Sequence, residues 1–187
     1  MTAQTSIDIP RSIVLVGLMG AGKTCIGREL AGRLGVPFID ADTEIEAAAG
    51  CKIEDIFRIY GEQEFREGER RVLARLLDGS VQVLATGGGA FMDPDTRRKT
   101  HEKAISIWLR ADLDLLASRV GRRSNRPLLK GKNAREVLSK LIDERYPVYA
   151  EADITVDSGR EAPELTVERV MHGLEEFLRS GDTESAA

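Results

Sequence analysis

Apolar residues along the chain follow two different patterns. Short, continuously apolar runs rich in β-branched residues are typical of strands buried on both faces of a parallel sheet. They occupy residues 13–16, 38–39, 81–86, 104–109 and 154–156. Between them, apolar residues recur every three or four positions, which predicts helices that bury one face. Because strands and helices alternate, we predict a three-layer α/β/α fold with a five-stranded parallel sheet and helices on both of its faces.

Capping residues and glycines set the expected limits of several helices. Asp42 or Thr43 can cap a helix that ends at Gly50, and two further helices are expected at 52–60 and 62–77. Residues 121–132 are polar, rich in arginine and without any period, which indicates a long exposed loop.

Length and composition limit the class of protein. A chain of 187 residues suits one domain, 1–187, with a core at about 11–180 and a flexible tail at 181–187. No apolar run approaches the ~20 residues that span a bilayer, and the first twelve residues lack the features of an export signal. Two cysteines cannot build a disulfide framework. We therefore expect a cytoplasmic protein that does not associate with membranes.

Charge and surface patterning limit the expected partners. The net charge of −4 argues against an extended nucleic-acid surface, although it permits a local basic pocket for a small anion. No large exposed apolar stripe is evident along the helices, which favours a monomer.

Polar motifs follow three of the predicted strands. A glycine-rich segment comes after residue 16, two aspartates after residue 39, and a glycine triplet after residue 86. Ligands of open parallel sheets bind beyond the carboxyl ends of the strands. We therefore expect these three motifs to line one pocket.

The first motif, GLMGAGKT at 17–24, matches the phosphate-binding pattern G-x-x-x-x-G-K-[ST]. Glycines let polyphosphate oxygens approach backbone N–H groups, and a following helix points its N-terminus at the anion. We expect nucleotide contacts from Gly20, Ala21 and Gly22. Lys23 would reach the β and γ phosphates, and the Thr24 hydroxyl would bind Mg²⁺. The alternative is a glycine-rich turn that matches by chance.

Besides the Thr24 hydroxyl, the metal needs an acidic ligand. The third strand ends in Gly-Gly-Gly without an aspartate, and no N-K-x-D motif indicates a guanine nucleotide. Asp40, at the end of the second strand, is the nearest candidate. The small size and the arginine-rich loop resemble nucleoside-monophosphate kinases, which have a mobile lid; here we expect the lid at 119–132.

Six segments resemble the shikimate kinase family in order and spacing. They are GLMGAGKT at 17–24, FIDAD at 38–42, GEQEFREGE at 61–69, GGGA at 87–90, RPLL at 126–129 and RYPVYAEAD at 145–153. The resemblance implies transfer of a phosphoryl group from MgATP to the 3-hydroxyl of shikimate, which yields shikimate 3-phosphate and ADP for aromatic amino-acid biosynthesis.

The resemblance also implies roles at the acceptor end of the site, with helices at about 42–77 binding shikimate. Arg66 and Arg145 would clamp the carboxylate, since guanidinium groups match carboxylates bidentately. Asp42 would orient the reacting hydroxyl and accept its proton. Gly88, within the triplet 87–89, would contact the substrate, with Gly87 and Gly89 beside it.

Each of these residues also has a purely structural alternative. Asp42 could only cap a helix, and the triplet could be only a tight turn. Arg66 could pair with Glu62 or Glu69 on its own helix, and Arg145 could pair with Asp143 or Glu144, or face solvent. Asp40 could bond only to local backbone.

At the nucleotide end, Arg126 resembles the lid arginine that closes over the phosphates, and Lys23, Arg126 and Mg²⁺ would stabilise the transferring group. Arg119 resembles the arginine that stacks on adenine. The segment 157–163 would flank the base, with Glu161 where some members carry a basic residue. Cys25 follows Thr24 at the nucleotide site, and we expect its thiol to be buried. Arg122 and Arg123 are expected to be solvated.

Other functions would leave much of the pattern unchanged. A kinase for another small hydroxy acid, such as gluconate, is the nearest alternative, and a nucleoside-monophosphate kinase is less well supported because no segment suits a second base. A module that binds ATP without transferring phosphate is the alternative outside enzymes.

Overall fold

The sheet has five strands, all paired in parallel. In a computed structural model, the protein is described over residues 7–121 and 133–184. The strands are β1 (Ser12–Val16), β2 (Phe38–Asp40), β3 (Val83–Ala85), β4 (Ala104–Arg110) and β5 (Ile154–Asp157), in the spatial order β2-β3-β1-β4-β5. The predicted α/β fold with a five-stranded parallel sheet is confirmed.

Among the described residues, seven helices and one short 3-10 helix accompany these strands. The helices are α1 (Lys23–Leu34), α2 (Ala41–Ala49), α3 (Ile53–Leu77), α4 (Pro94–Lys103), α5 (Leu113–Val120), α6 (Ala134–Tyr149) and α7 (Pro163–Glu184), and the 3-10 helix spans Ala90–Met92. Helix α7 continues beyond residue 180, where the sequence suggested a polar tail. In the two described stretches, no helix combines the length and the apolar character needed to cross a membrane.

Helix α2 begins directly where β2 ends. The Asp40 side chain caps it by accepting a hydrogen bond from the Asp42 backbone N–H at 3.0 Å. The prediction that Asp42 or Thr43 is the cap was therefore wrong, because the helix starts before either residue. The Asp42 side chain is therefore not the cap of α2.

Helix α3 contains a break at Gly61. This glycine has φ 83° and ψ 174°, outside the helical region and in a range that favours glycine. The two helices predicted at 52–60 and 62–77 therefore exist as two helical segments joined at that residue.

The main core lies around the sheet. Every residue of β1 is buried, and all of β4 except its last residue. Helix α1 packs against β3, α7 packs against β5, and these two helices also contact each other. Helix α4 packs against β4. A second, smaller cluster joins α2 to α3 through Ile45, Ile56, Phe65 and Val72. The helices that carry part of the predicted acceptor site thus have a core cluster of their own.

Packing of α1 against the sheet leaves no room at Gly27. A Cβ atom there would lie 2.5 Å from the Phe38 ring and 3.1 Å from a Leu15 methyl group, whereas at Gly32 it would meet nothing within 4 Å. We expect Gly27→Ala to lower the free energy of unfolding by about 1–3 kcal/mol through overpacking. The matched Gly32→Ala should raise it by roughly 0.5–1 kcal/mol. Urea unfolding of both variants checks this, and equal effects would contradict the packing argument.

Candidate active site

The loop between β1 and α1 is shaped by three glycines. Gly17, Gly20 and Gly22 have φ values of 149°, 85° and 99°, a range that side chains rarely adopt. Gly22 directly precedes α1, whose first turn carries no acidic residue. The backbone N–H groups at the start of α1 and the positive end of the helix dipole therefore make this loop suited to an anion.

Lys23 and Thr24 are the first two residues of α1, and their side chains reach different partners. The Lys23 Nζ donates hydrogen bonds to the Gly17 and Leu18 carbonyl oxygens, at 2.6 and 3.0 Å. The Thr24 hydroxyl donates to Asp40 Oδ2 at 3.0 Å. The structure thus brings together the threonine and the aspartate that the sequence suggested for the metal.

The donor set at Thr24 and Asp40 fits Mg²⁺. One hydroxyl and one carboxylate are oxygen ligands, and Mg²⁺ is usually bound by one or two carboxylates together with substrate phosphates. Over residues 7–121 and 133–184 there is no cluster of three or more His, Cys, Asp or Glu side chains that could hold a metal by itself. A site that relies on nucleotide phosphates for its other ligands agrees with both observations.

Four charged side chains surround the glycine triplet that follows β3. A Cβ on Gly87 would lie 2.9 Å from Glu69 Oε1 and 3.2 Å from Asp42 Oδ1. A Cβ on Gly88 would lie 3.2 Å from Arg145 Nη1, and one on Gly89 would lie 2.5 Å from Arg66 Nη1. The charged groups, which come from α2, α3 and α6, therefore approach the turn so closely that only glycine fits without a shift.

The triplet also borders the phosphate-binding loop. The Cβ position on Gly88 is 3.5 Å from the Gly17 carbonyl oxygen. One cavity of about 1290 Å³ is lined by Gly22, Lys23 and Thr24 and also by Asp42 and Gly88. The phosphate-binding loop, Asp42 and the triplet therefore border one space.

Arg66 pairs with two glutamates of its own helix and also borders the glycine triplet. Its Nη1 donates to Glu69 Oε2 at 2.8 Å and its Nη2 to Glu62 Oε1 at 3.4 Å, while the guanidinium borders Gly89. Arg145 is buried, with 9% of its surface exposed, rather than facing solvent. An arginine is rarely buried this deeply unless it is paired, so its position beside the glycine turn makes Arg145 a candidate for binding an anion.

Glu69 belongs to the site although the sequence analysis did not assign it a role there. It is 3% exposed, and its Oε1 has no hydrogen-bond partner among the described residues. Burial raises the pKa of the Glu69 carboxyl, although Arg66 opposes this shift. Its position three residues after Arg66 was the available signal, but such a pair is equally typical of an exposed helix surface.

Arg119 joins the phosphate-binding loop to the segment after β5. Its Nη1 donates to the Gly20 carbonyl at 3.0 Å and to the Ser158 hydroxyl at 3.2 Å, and its Nη2 donates to the Gly159 carbonyl at 2.7 Å. The buried Ser158 hydroxyl in turn donates to the Ala21 carbonyl at 3.0 Å. Arg119 therefore borders the nucleotide end, and its stacking on adenine stays a prediction.

Two further residues, Cys25 and Glu161, lie at the nucleotide end. Cys25 is exposed and lines the cavity, so the prediction of a buried thiol was wrong. The reason is that the buried face of α1 is formed by Ile26, Gly27, Leu30 and Ala31. Glu161 also lines the cavity and forms an ion pair with Arg169.

Part of the predicted lid cannot be placed. Arg126, Arg122 and Arg123 lie outside the described residues. The suggestion that Arg126 closes over the phosphates therefore stays a prediction.

Comparisons with known proteins agree with this geometry. The family model described as "Shikimate kinase" matches residues 19–175. The chain is 59% identical over 170 residues to the shikimate kinase of Paramagnetospirillum magneticum, which covers 91% of this chain and 87% of that relative. The chain belongs to the shikimate kinase family. The resemblance stated from its sequence motifs is thus confirmed.

Solved structures extend the comparison to the fold. Shikimate kinase from Acinetobacter baumannii in complex with shikimate matches with a TM-score of 0.88 and 36% identity, over 92% of this chain and 97% of that one. A gluconokinase from Sinorhizobium meliloti 1021 matches with a TM-score of 0.69 over 96% of this chain and 99% of that one, at 18% identity. The second likeness is one of fold alone.

The buried Glu69 predicts a specific pH dependence of stability. Its pKa is raised in the folded state above the ordinary value of 4.5, so a proton binds more tightly to the folded than to the unfolded chain. Glu69→Gln removes this titration. The free energy of unfolding of the native protein minus that of the variant should therefore increase as the pH falls from neutral towards 4.5.

Urea unfolding at a series of pH values measures this difference. Glu62→Gln is the matched control, because it removes an exposed carboxylate that pairs with the same Arg66. A difference that decreases with falling pH would show that the ion pair with Arg66 outweighs burial, contrary to our expectation.

Proposed function

We propose that the chain transfers the γ-phosphoryl group of ATP to the 3-hydroxyl of shikimate, which yields shikimate 3-phosphate and ADP. One observation carries this proposal: Asp42, Arg66 and Arg145 surround a glycine turn that shares a cavity with the phosphate-binding loop. A polyphosphate site next to a two-arginine site for a carboxylate suits a kinase of a small hydroxy acid. Membership of the shikimate kinase family then selects shikimate.

At the nucleotide end, the segment Gly20, Ala21 and Gly22 binds the phosphates through backbone N–H groups, and the Ala21 N–H would exchange its present partner, the Leu18 carbonyl at 3.1 Å, for a phosphate oxygen. Lys23 exchanges its present carbonyl partners for phosphate oxygens, a change that charge–charge attraction favours. Arg119 fixes the loop that carries these groups, Cys25 lies at its edge, and Arg126 supplies further positive charge from the lid.

Thr24 and Asp40 would hold Mg²⁺ with the nucleotide. The ion would neutralise negative charge on the phosphates during transfer. Thr24 and Asp40 are already joined by a hydrogen bond, so both oxygens face one place before any ligand binds.

At the acceptor end, Arg66 and Arg145 hold the carboxylate from two sides. Glu69 keeps the Arg66 guanidinium oriented towards the turn through the 2.8 Å ion pair. Gly87, Gly88 and Gly89 let the substrate approach the backbone, because a side chain there would meet the charged groups. Asp42 orients the reacting hydroxyl and accepts its proton.

The reaction needs only positioning and electrostatic stabilisation. The hydroxyl oxygen attacks the γ-phosphorus in line while the bond to the β-phosphate oxygen breaks, and Lys23 and Arg126 stabilise the charge on the transferring group. No covalent enzyme intermediate is involved. Exclusion of water from the cavity prevents hydrolysis of ATP.

We also propose that residues 1–187 act as one kinase domain, monomeric and cytoplasmic, without a nucleic-acid or membrane partner. The mildly acidic composition supports the lack of a nucleic-acid partner.

A panel of acceptors tests the proposed function. ADP release with MgATP is measured with shikimate, gluconate, AMP and CMP in turn, and we expect only shikimate to stimulate it. Stimulation by gluconate or AMP instead of shikimate would overturn the assignment. Binding of ATP without stimulation by any acceptor would favour the module that only binds nucleotide.

Arg145→Ala tests the acceptor clamp. Loss of one charged hydrogen-bonding group costs about 1.5–3 kcal/mol, so KM for shikimate should rise about tenfold or more while KM for ATP changes little. Arg135→Ala is the control on the same helix, since Arg135 pairs with Asp114 and is largely exposed. Steady-state kinetics at varied shikimate and ATP provide the measurement. An unchanged shikimate KM would remove Arg145 from the site.

A further inference from the structure

Tyr149 is a completely buried tyrosine at the end of α6. It is 0% exposed and belongs to the largest fully buried side chains of the described residues. Its ring centroid lies 6.0 Å from that of Trp108 on β4 and 6.2 Å from that of Tyr146 on α6. Packing between these rings fixes the direction of the Tyr149 hydroxyl.

That hydroxyl donates a hydrogen bond to the Gly88 carbonyl oxygen, 61 positions away along the chain. Gly88 is the central residue of the triplet, and Arg145 Nη1 would lie 3.2 Å from a Cβ placed on it. Tyr149 and Arg145 are one helical turn apart on α6. One helix therefore holds the turn through a phenol and faces it with a guanidinium.

The hydroxyl is a donor at every physiological pH. Burial raises the pKa of Tyr149 to about 12, although the neighbouring Arg145 opposes this shift. A neutral phenol keeps the hydrogen that the Gly88 carbonyl accepts. Without that donor, a peptide group inside the protein would lose its partner and the turn could move away from α6.

We propose that Tyr149 is a positioning residue for the acceptor: its hydroxyl sets the distance between the Gly88 turn and the Arg145 guanidinium, and thereby the affinity for the substrate carboxylate. The inference rests on the proposed function, in which Arg145 and the triplet bind shikimate. It adds a residue that does not touch substrate and acts through the two groups that do.

Tyr149→Phe is the decisive variant, because it keeps the ring and its packing and removes only the hydroxyl. KM for shikimate should rise about three- to tenfold, the effect of one hydrogen bond, while KM for ATP and kcat stay within about twofold. A merely structural hydroxyl would lower the melting temperature and leave the shikimate KM unchanged. That result, in an enzyme active on shikimate, would overturn the inference alone.

Tyr146→Phe is the matched control on the same helix. The Tyr146 ring packs on Trp108, with centroids 4.8 Å apart, and its hydroxyl also donates to a backbone carbonyl, that of Ala111 just after β4. We expect a similar loss of thermal stability and no change in the shikimate KM. A rise equal to that of Tyr149→Phe would show a general effect of α6 and overturn the specific role of Tyr149.

The double variant Arg145→Ala with Tyr149→Phe tests whether the hydroxyl acts through the arginine. If it does, removing the hydroxyl should change the shikimate KM less than twofold once Arg145 is absent. Fully additive effects would overturn this route. A native protein that does not phosphorylate shikimate would instead overturn the proposed function, and the inference with it.

Discussion

Parallel pairing of β1 with β3, and of β3 with β2, carries the carboxyl ends of these three adjacent strands to one edge of the sheet. The phosphate-binding loop follows β1, Asp40 ends β2, and the glycine triplet follows β3. An antiparallel strand among them would place its motif at the opposite edge. The geometry of the site therefore depends on strand direction before it depends on any side chain.

Charge is concentrated around the triplet at a cost to stability. A buried charge is costly unless it is paired, and Glu69 pairs with Arg66 at 2.8 Å while its own pKa is raised by burial. Arg145, whose guanidinium lies beside Gly88, is buried as well. Apolar residues at these positions would stabilise the fold better than these charged groups do. Under the proposed function, the two arginines would give the substrate anion a set of donors that does not have to be assembled when it binds.

Sequence patterns predicted the parts of the structure that depend on local chemistry. The five strands, the phosphate-binding loop and the break at Gly61 follow from periodicity and glycine content. The cap of α2 was misassigned because Asp40 and Asp42 are both capping residue types and only the start of the helix distinguishes them. Glu69 looked like a surface partner of Arg66, since burial depends on tertiary packing.

The contact between Tyr149 and Gly88 could not be predicted in the same way, because no local pattern marks a hydrogen bond across 61 positions. What the sequence did show was the tyrosine one turn after Arg145. The contact of this tyrosine with the triplet follows only from the position of α6 in the fold. Contacts of this kind are a consequence of topology, and they become visible only when the strand order is known.

The two arginines of the proposed acceptor clamp differ in the core residues beside them. Arg66 follows Phe65, a member of the small cluster between α2 and α3, although Leu73 and Leu77 further along α3 belong to the main core. Arg145 lies on α6, which contributes Leu138 and Tyr149 to the main core. A carboxylate that accepts hydrogen bonds from both would join these parts through the ligand. The Tyr149 hydroxyl holds the triplet to the main-core side. Under the proposed function, the acceptor would meet one arm of the clamp on α6, which packs into the main core, and another beside the smaller cluster, on the segment of α3 that follows the break at Gly61.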